Sequence, residues 1–189
     1  MNQIKEWLDK LSNEIPLGSK SNTAQNGDVS GVEPIPAGYH TVTPNLVFRD
    51  SNKAIEFYKA AFNAEVLDFL PNSNSNGVMH ATLKIGDSII MLGDEMSSEK
   101  DCPKSAETLG SSSISLFLYV PNADDFYKKA VDAGAISTMP VMDMFWGDRV
   151  GQIKDPFGYF WMIGTHKEDL SDEEIKKGAE DFFATNAKK

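Results

Sequence analysis

The chain contains 189 residues, of which 41% are hydrophobic and 24% are charged, a balance that excludes a wholly disordered protein. Its 28 acidic and 18 basic residues give a formal net charge of −10, and no cluster of Lys or Arg offsets this charge locally. We therefore expect neither nucleic acid nor a membrane surface as a partner. A signal-peptide pattern and an apolar run of membrane-spanning length are both missing from the sequence, so we expect a cytoplasmic protein.

The N-terminal stretch predicts an amphipathic helix followed by a linker. Within residues 1–16, Ile4, Leu8 and Leu11 recur at helical spacing, and Pro16 closes the segment. Residues 17–34 are rich in Gly, Ser, Asn and Asp and contain few bulky apolar residues, a composition typical of a flexible linker. The apolar side of the helix needs a docking surface, which we expect on its own core or on a partner subunit.

The central part of the chain repeats itself at an offset of about 70 residues. The first copy starts with an apolar strand over 43–48 and a helix over 51–62, and the second with a strand over 114–120 and a helix over 123–133. Both helices contain Phe-Tyr-Lys, and three strands joined by Gly- and Asp-containing turns follow each of them. The pattern predicts an α+β fold in which two βαβββ modules (about 40–95 and 112–166) form a curved mixed sheet around a central cleft.

The C-terminal segment, 171–189, predicts a further helix. Ser171 and Glu174 form a capping-box pattern, in which each side chain can bond the backbone N–H of the other residue. Ile175, Ala179 and Phe182 then lie on one helical face, and we expect the helix to end near residue 186 and to pack over the core or a neighbour.

Several motifs in the repeat resemble the vicinal oxygen chelate superfamily, which includes glyoxalase I, bleomycin-resistance proteins and extradiol dioxygenases. Those at 39–44, 78–81, 144–149, 155–158 and 165–170 resemble its PhnB-like branch in particular. The resemblance implies one domain over residues 35–170. It also implies a homodimer, because relatives of this fold commonly pair or exchange modules.

The resemblance further implies four positions where metal-dependent members place their ligands. The first strands offer Thr43 and Ser115 there, and the last strands offer Met91 and Met162. Hydroxyls and thioethers are poor ligands for hard or borderline divalent ions, and no fixed charge would offset dehydration of the ion. We therefore expect no metal and no other cofactor.

Strand alternation predicts which side chains line the cleft. They are mostly apolar or aromatic with a few polar groups, the usual composition of a small-molecule pocket. The candidate ligand-binding residues are Thr43, Asn45, His80, Met91, Ser115, Phe117, Trp146, Arg149, Phe160 and Met162.

Three of these candidates have alternative interpretations. His80 is either an acid–base group or an ordinary solvated histidine, and no other catalytic residue stands out. Trp146 would stack on a flat ligand while Arg149 holds its anionic part. Equally, Asp148 and Arg149 would pair with other residues and pin a hairpin.

Three functions remain open at this point. The leading hypothesis is a metal-free protein that binds a small molecule in the cleft, similar to the sequestering bleomycin-resistance members. The second is a lyase, isomerase or dioxygenase that either needs a metal or uses His80 as acid or base. The third is an interaction module that acts through its two terminal helices, which deleting residues 1–33 would test.

Overall fold

The computed structural model describes residues 32–73, 75–96 and 102–186, so the predicted N-terminal helix and most of the predicted linker lie outside the described residues. In chain order the elements are β1 (Asn45–Phe48), α1 (Ser51–Phe62), β2 (Glu65–Pro71), β3 (Val78–Ile85), β4 (Ser88–Asp94), α2 (Ala106–Leu109), β5 (Ser115–Tyr119), α3 (Ala123–Asp132), β6 (Ile136–Asp143), β7 (Asp148–Lys154), β8 (Phe160–His166) and α4 (Asp172–Asn186).

The strands form two four-stranded mixed sheets with the same topology. The first sheet has the order β1-β4-β3-β2 and the second the order β5-β8-β7-β6. In both, the first strand of the module is parallel to the last one, and the other pairings are antiparallel. The predicted α+β fold of two repeated βαβββ modules is confirmed.

The register shows how closely the two modules correspond. Asn45 pairs with Met91 in the first sheet, and Phe117 pairs with Met162 at the matching place in the second. The helices begin in corresponding ways too. Asp50 caps α1 by accepting from the Lys53 N–H, and Asn122 caps α3 by accepting from the Asp125 N–H. The two modules therefore repeat the same strand pairing and the same helix capping, as well as a similar sequence.

One hydrophobic core contains side chains from both modules. It includes Leu46, Leu92 and Tyr58 from the first module and Trp161 and Ile163 from the second, all buried. Tyr58 belongs to α1, the strand residues lie on the face of each sheet that its own helix covers, and α1 contacts α3 directly. We call the opposite face of each sheet its far face, and residues on the far faces are not members of this core.

A buried aspartate joins the modules inside the core. Asp155, which is 1% exposed, accepts a 2.7 Å hydrogen bond from the Tyr58 hydroxyl of the first module. The same carboxylate accepts from the Trp161 indole N–H and from the backbone N–H groups of Phe157 and Tyr159. Burial raises the pKa of Asp155, although these four donors oppose the rise.

The C-terminal helix α4 packs against the loop between β6 and β7. Its capping box is formed, since the Glu174 N–H donates to Ser171 Oγ and the Ser171 N–H donates to Glu174 Oε2. The Phe145 ring lies 5.6 Å from that of Phe182, centre to centre, and a methyl group on Gly178 would lie 3.0 Å from Phe145 Cβ.

Two elements differ from the sequence expectation. Strand β1 begins at Asn45 and not at Thr43, because Pro44 has no N–H to donate to a ladder. Thr43 instead turns back and donates to the His40 carbonyl, 3.1 Å away. The short helix α2 was not predicted; Ser105 caps it by accepting from the Thr108 N–H.

Candidate functional site

The far face of the second sheet carries an exposed pair of aromatic rings. Phe117 is 41% exposed and Tyr119 63% exposed, and their ring centres lie 4.5 Å apart. Both rise from β5 beside Gly164 of β8, whose missing side chain leaves room for the Phe117 ring. A methyl group on Gly164 would lie 2.8 Å from Phe117 Cε1, a distance that a real Cβ does not adopt. The rings thus form a platform on which a flat molecule can stack.

A buried carboxylate anchors the Tyr119 end of this platform. Asp148, at the start of β7, is 4% exposed and accepts from the Tyr119 hydroxyl at 2.9 Å and from the Trp146 indole N–H at 3.0 Å. Its other oxygen lies 2.8 Å from Nδ1 of His166, the last residue of β8. Burial opposes ionisation of Asp148, but the bonds from His166, Tyr119 and Trp146 outweigh it and lower the pKa of this carboxyl group.

His166 sits between two carboxylates. Its Nε2 lies 3.0 Å from Oδ1 of Asp169, in the loop that leads to α4. The hydrogen bonds to Asp148 and Asp169 raise the pKa of His166. The Tyr119 pKa is raised as well, first by its bond to Asp148, so the phenol stays protonated and acts as a donor.

Arg149 lies on the other side of the second sheet. A methyl group on Gly151, two residues along β7, would contact the Tyr127 ring of α3, so Gly151 and Arg149 share the helix-covered face. The Arg149 guanidinium bonds Asp124 of α3 through two nitrogens, at 2.6 and 2.8 Å, and Asp143 of β6 at 3.0 Å. The structure does not bring Arg149 together with Trp146 as an anion-and-ring pair; its contacts match the alternative, in which it pins the hairpin.

The far face of the first sheet is more polar. The pairing of Asn45 with Met91 and of Met91 with Thr82 forms one row across it. His80 lies on the same face, with Nε2 3.1 Å from Thr82 Oγ1. The Tyr39 hydroxyl lies 3.4 Å from that same oxygen, so the segment before β1 crosses part of this face.

The predicted ligand-binding residues therefore fall into two sets. Asn45, His80 and Met91 lie on the far face of the first sheet, with Thr43 just before β1. The second sheet carries Ser115, Phe117, Phe160 and Met162 on its far face, where Ser115 pairs with Phe160 and Phe117 with Met162, and Trp146 joins this set through Asp148.

A surface cavity of about 700 Å³ lies elsewhere, at the N-terminus of α1. Among its lining residues, Asp50 accepts from the Lys53 N–H and Asp94 accepts from the N–H groups of Ser51 and Val78. These carboxylates thus already satisfy the backbone donors that an anionic ligand would use there.

Comparison with known proteins identifies the family. Residues 39–163 match the family described as Glyoxalase/Bleomycin resistance protein/Dioxygenase superfamily. Uncharacterized protein Rv0887c of Mycobacterium tuberculosis is 32% identical over 155 residues, which is 80% of this chain and 87% of that protein. The chain belongs to the glyoxalase/bleomycin resistance/dioxygenase superfamily.

Solved structures of other proteins share this fold. TioX from Micromonospora sp. ML1 shares 21% identity and a TM-score of 0.54, over 66% of this chain and 97% of that one. A PhnB protein from Bacillus cereus shares 16% identity and a TM-score of 0.52, over 67% of this chain and 99% of that one. At these identities the likeness shows the fold alone.

The side chains at the four metal-ligand positions of the superfamily do not fit a divalent metal ion here. The Thr43 hydroxyl donates to the His40 carbonyl, and the Ser115 hydroxyl donates to the Phe160 carbonyl at 3.5 Å. Met91 and Met162 add only thioethers, so none of these four side chains carries a negative charge to balance that of an ion. Within the described residues, no three His, Cys, Asp or Glu side chains are grouped as a metal site needs.

Sequence reasoning gave pairing of Asp148 with other residues as one alternative, but it did not identify Tyr119 and His166 as the partners. Alternation along β7 predicts part of this arrangement. The buried Ile153 and Arg149 share one face of the strand, so Asp148 must lie on the opposite, far face. The pairing of Asp148 with His166, 18 residues later, depends on the register between two strands. Nothing in the local sequence specifies that register.

Proposed function

We propose that this superfamily member binds a small molecule with a flat apolar part on the far face of its second sheet, without a metal ion. The observation that carries this proposal is the exposed Phe117–Tyr119 platform over Gly164. Large aromatic side chains are expensive to leave in water, and a stacked ligand would bury them. Met162 and Phe160 extend the apolar surface along β8.

We further propose that a second copy of the chain covers this face and completes the cleft. The helix-covered faces of both sheets are already used in the shared core, so the far faces need another source of cover. Met142, on the outer strand β6, adds exposed apolar surface to the far face of the second sheet, and Leu70, on β2, is exposed on that of the first. Exposed apolar surface on both far faces favours an interaction there.

Native mass spectrometry of gently purified protein tests these proposals together, because it measures subunit number, bound metal and retained small molecules. We expect a metal-free dimer that carries an organic adduct, and a Phe117→Ala variant that loses the adduct while remaining folded. One divalent ion per subunit would contradict the metal-free proposal. An adduct kept in full by Phe117→Ala would contradict its location on the platform.

A second candidate function is a lyase or isomerase that uses His80 as its acid or base. The observation in its favour is the chain of hydrogen-bonding groups from Tyr39 through Thr82 to His80, which would orient the imidazole. If this enzyme exists, a His80→Gln variant should retain a different small molecule from the wild type, namely the unconverted substrate. The same retained molecule in both proteins would favour simple binding.

We also propose that the chain lies in the PhnB-like branch of the superfamily. The support is the sequence of motifs at 39–44, 78–81 and 144–149, in the order that branch has them. A branch assignment names no ligand, because one fold serves many chemistries.

A further inference from the structure

The far face of the second sheet needs an anion-binding group if its ligand carries an acidic group, and Arg149 cannot supply it. We infer that His166 binds an acidic group of the ligand through Nε2, and that Asp169 holds that position in the free protein. This inference deepens the proposed function, since it adds a polar anchor and a ligand class to the same face.

The position of His166 supports the inference. Asp148 pairs with His166 at the end of β8 on the far face, and its carboxylate bonds both His166 Nδ1 and the Tyr119 hydroxyl. The imidazole is therefore tied to the aromatic platform through a shared, buried carboxylate. A ligand stacked on Tyr119 would bring a substituent on its ring edge toward this imidazole.

The contacts of His166 indicate which form it takes. Asp148 accepts at Nδ1 and Asp169 accepts at Nε2, and a ring with an acceptor at each nitrogen must carry a proton on both. The ring is then an imidazolium, which agrees with the raised pKa of His166. An imidazolium held at Nδ1 by a buried carboxylate presents a fixed N–H donor at Nε2.

Asp169 has the properties of a replaceable partner. Its side chain is fully exposed, at 103% of the reference area, whereas Asp148 is 4% exposed. Exchanging the Asp169 carboxylate for a ligand carboxylate, phenolate or enolate conserves both the charge and the hydrogen bond. The exchange therefore leaves no buried group unpaired, and the released Asp169 returns to water. The ligand class is a flat ring with an acidic oxygen on its edge.

The test uses two probes that differ only in the acidic group, 2-naphthoate and its neutral amide 2-naphthamide. Binding is followed at about pH 6, where the imidazolium predominates, from the NMR signals of Phe117, Tyr119 and His166. We expect the wild type to bind 2-naphthoate about threefold more tightly, because displacing Asp169 offsets part of the roughly tenfold effect of one charge-assisted hydrogen bond. His166→Gln should abolish this preference.

Asp169→Ala provides a second measurement that does not depend on the His166 variant. It removes the competing carboxylate, so 2-naphthoate should bind roughly threefold or more tightly, while 2-naphthamide is unchanged. Glu168→Ala is the matched control, because it removes the same charge one residue away and should have little effect.

The outcomes separate this inference from the proposed function. Equal binding of both probes to the platform, unaffected by His166→Gln or Asp169→Ala, would overturn the role of His166 and leave the platform standing. If neither probe shifts the Phe117 and Tyr119 signals, the proposed binding face is wrong as well.

Discussion

Replacing Asp155 by Ala should destabilise the protein strongly, because four donors converge on this one buried carboxylate. The Tyr58 hydroxyl donates at 2.7 Å, the Trp161 indole N–H at 3.2 Å, and the backbone N–H groups of Phe157 and Tyr159 at 3.0 and 2.9 Å. An unsatisfied buried donor costs about 1–3 kcal/mol, so even the lower limit for all four gives a loss of about 4 kcal/mol. In a chain of this length that corresponds to a fall in Tm of roughly 8–16 °C.

Urea unfolding followed by far-UV circular dichroism measures this loss directly. Asp132→Ala is the control, because Asp132 makes an exposed i,i+4 ion pair with Lys128 and its removal should change the free energy of unfolding by less than about 0.5 kcal/mol. Asp155→Asn keeps one acceptor oxygen, so its loss of unfolding free energy should lie between those of Asp132→Ala and Asp155→Ala. A loss below about 1 kcal/mol in Asp155→Ala would refute the reasoning, since it would mean that the four donors find other partners.

Three further predictions concern the far face of the second sheet and its surroundings. Gly164→Ala should weaken 2-naphthoate binding, because its methyl group would displace the exposed Phe117 ring; its other close neighbour is the Val150 side chain at 3.3 Å. It should cost less urea stability than its repeat counterpart Gly93→Ala, which should cost about 1–3 kcal/mol because its methyl would lie 2.7 Å from a backbone carbonyl. Arg149→Ala should leave 2-naphthoate binding unaltered in the same NMR titration, and a loss of binding would contradict its placement on the helix-covered face. The pKa of His166 is raised in the folded protein, so its contribution to the free energy of unfolding is fully present below about pH 6.5 and is lost as the pH rises through the folded pKa. Urea titrations at a series of pH values should show this decrease in the wild type and not in His166→Gln.

Much of the fold was predictable because the sequence repeats itself. The helices at 51–62 and 123–132 follow from their apolar spacing and from caps that sequence chemistry specifies, such as Asn122. Alternation along β3 also placed His80 and Thr82 on the face opposite the buried Ala81 and Leu83. These features depend on residues close together in the chain, where local rules act.

The candidate site was less predictable because it depends on contacts between distant residues. Asp148 meets Tyr119 across 29 positions and His166 across 18, and each contact requires a strand register. Arg149 looked available as an anion-binding group because its partner Asp124 lies 25 positions earlier, on a helix. A charged residue can be judged free only when the elements packed around it are known.

The two modules share a strand register but carry different side chains on their far faces, and this difference favours an asymmetric ligand site. The strand registers correspond, since the pairing of Asn45 with Met91 matches that of Phe117 with Met162, so both modules keep the same scaffold. The side chains on the far faces differ, however: position 45 carries an amide, whereas the corresponding position in the second module, Phe117, carries an aromatic ring. His80 belongs to the first module alone, and the buried carboxylate Asp148 to the second. Two far faces brought together across a dimer would therefore offer a ligand a polar wall on one side and an aromatic wall on the other. A ligand with a flat apolar ring on one side and hydrogen-bonding groups on the opposite edge would stack on the aromatic face and bond the polar one. A symmetric ligand would leave either the aromatic rings uncovered or the polar groups without hydrogen bonds.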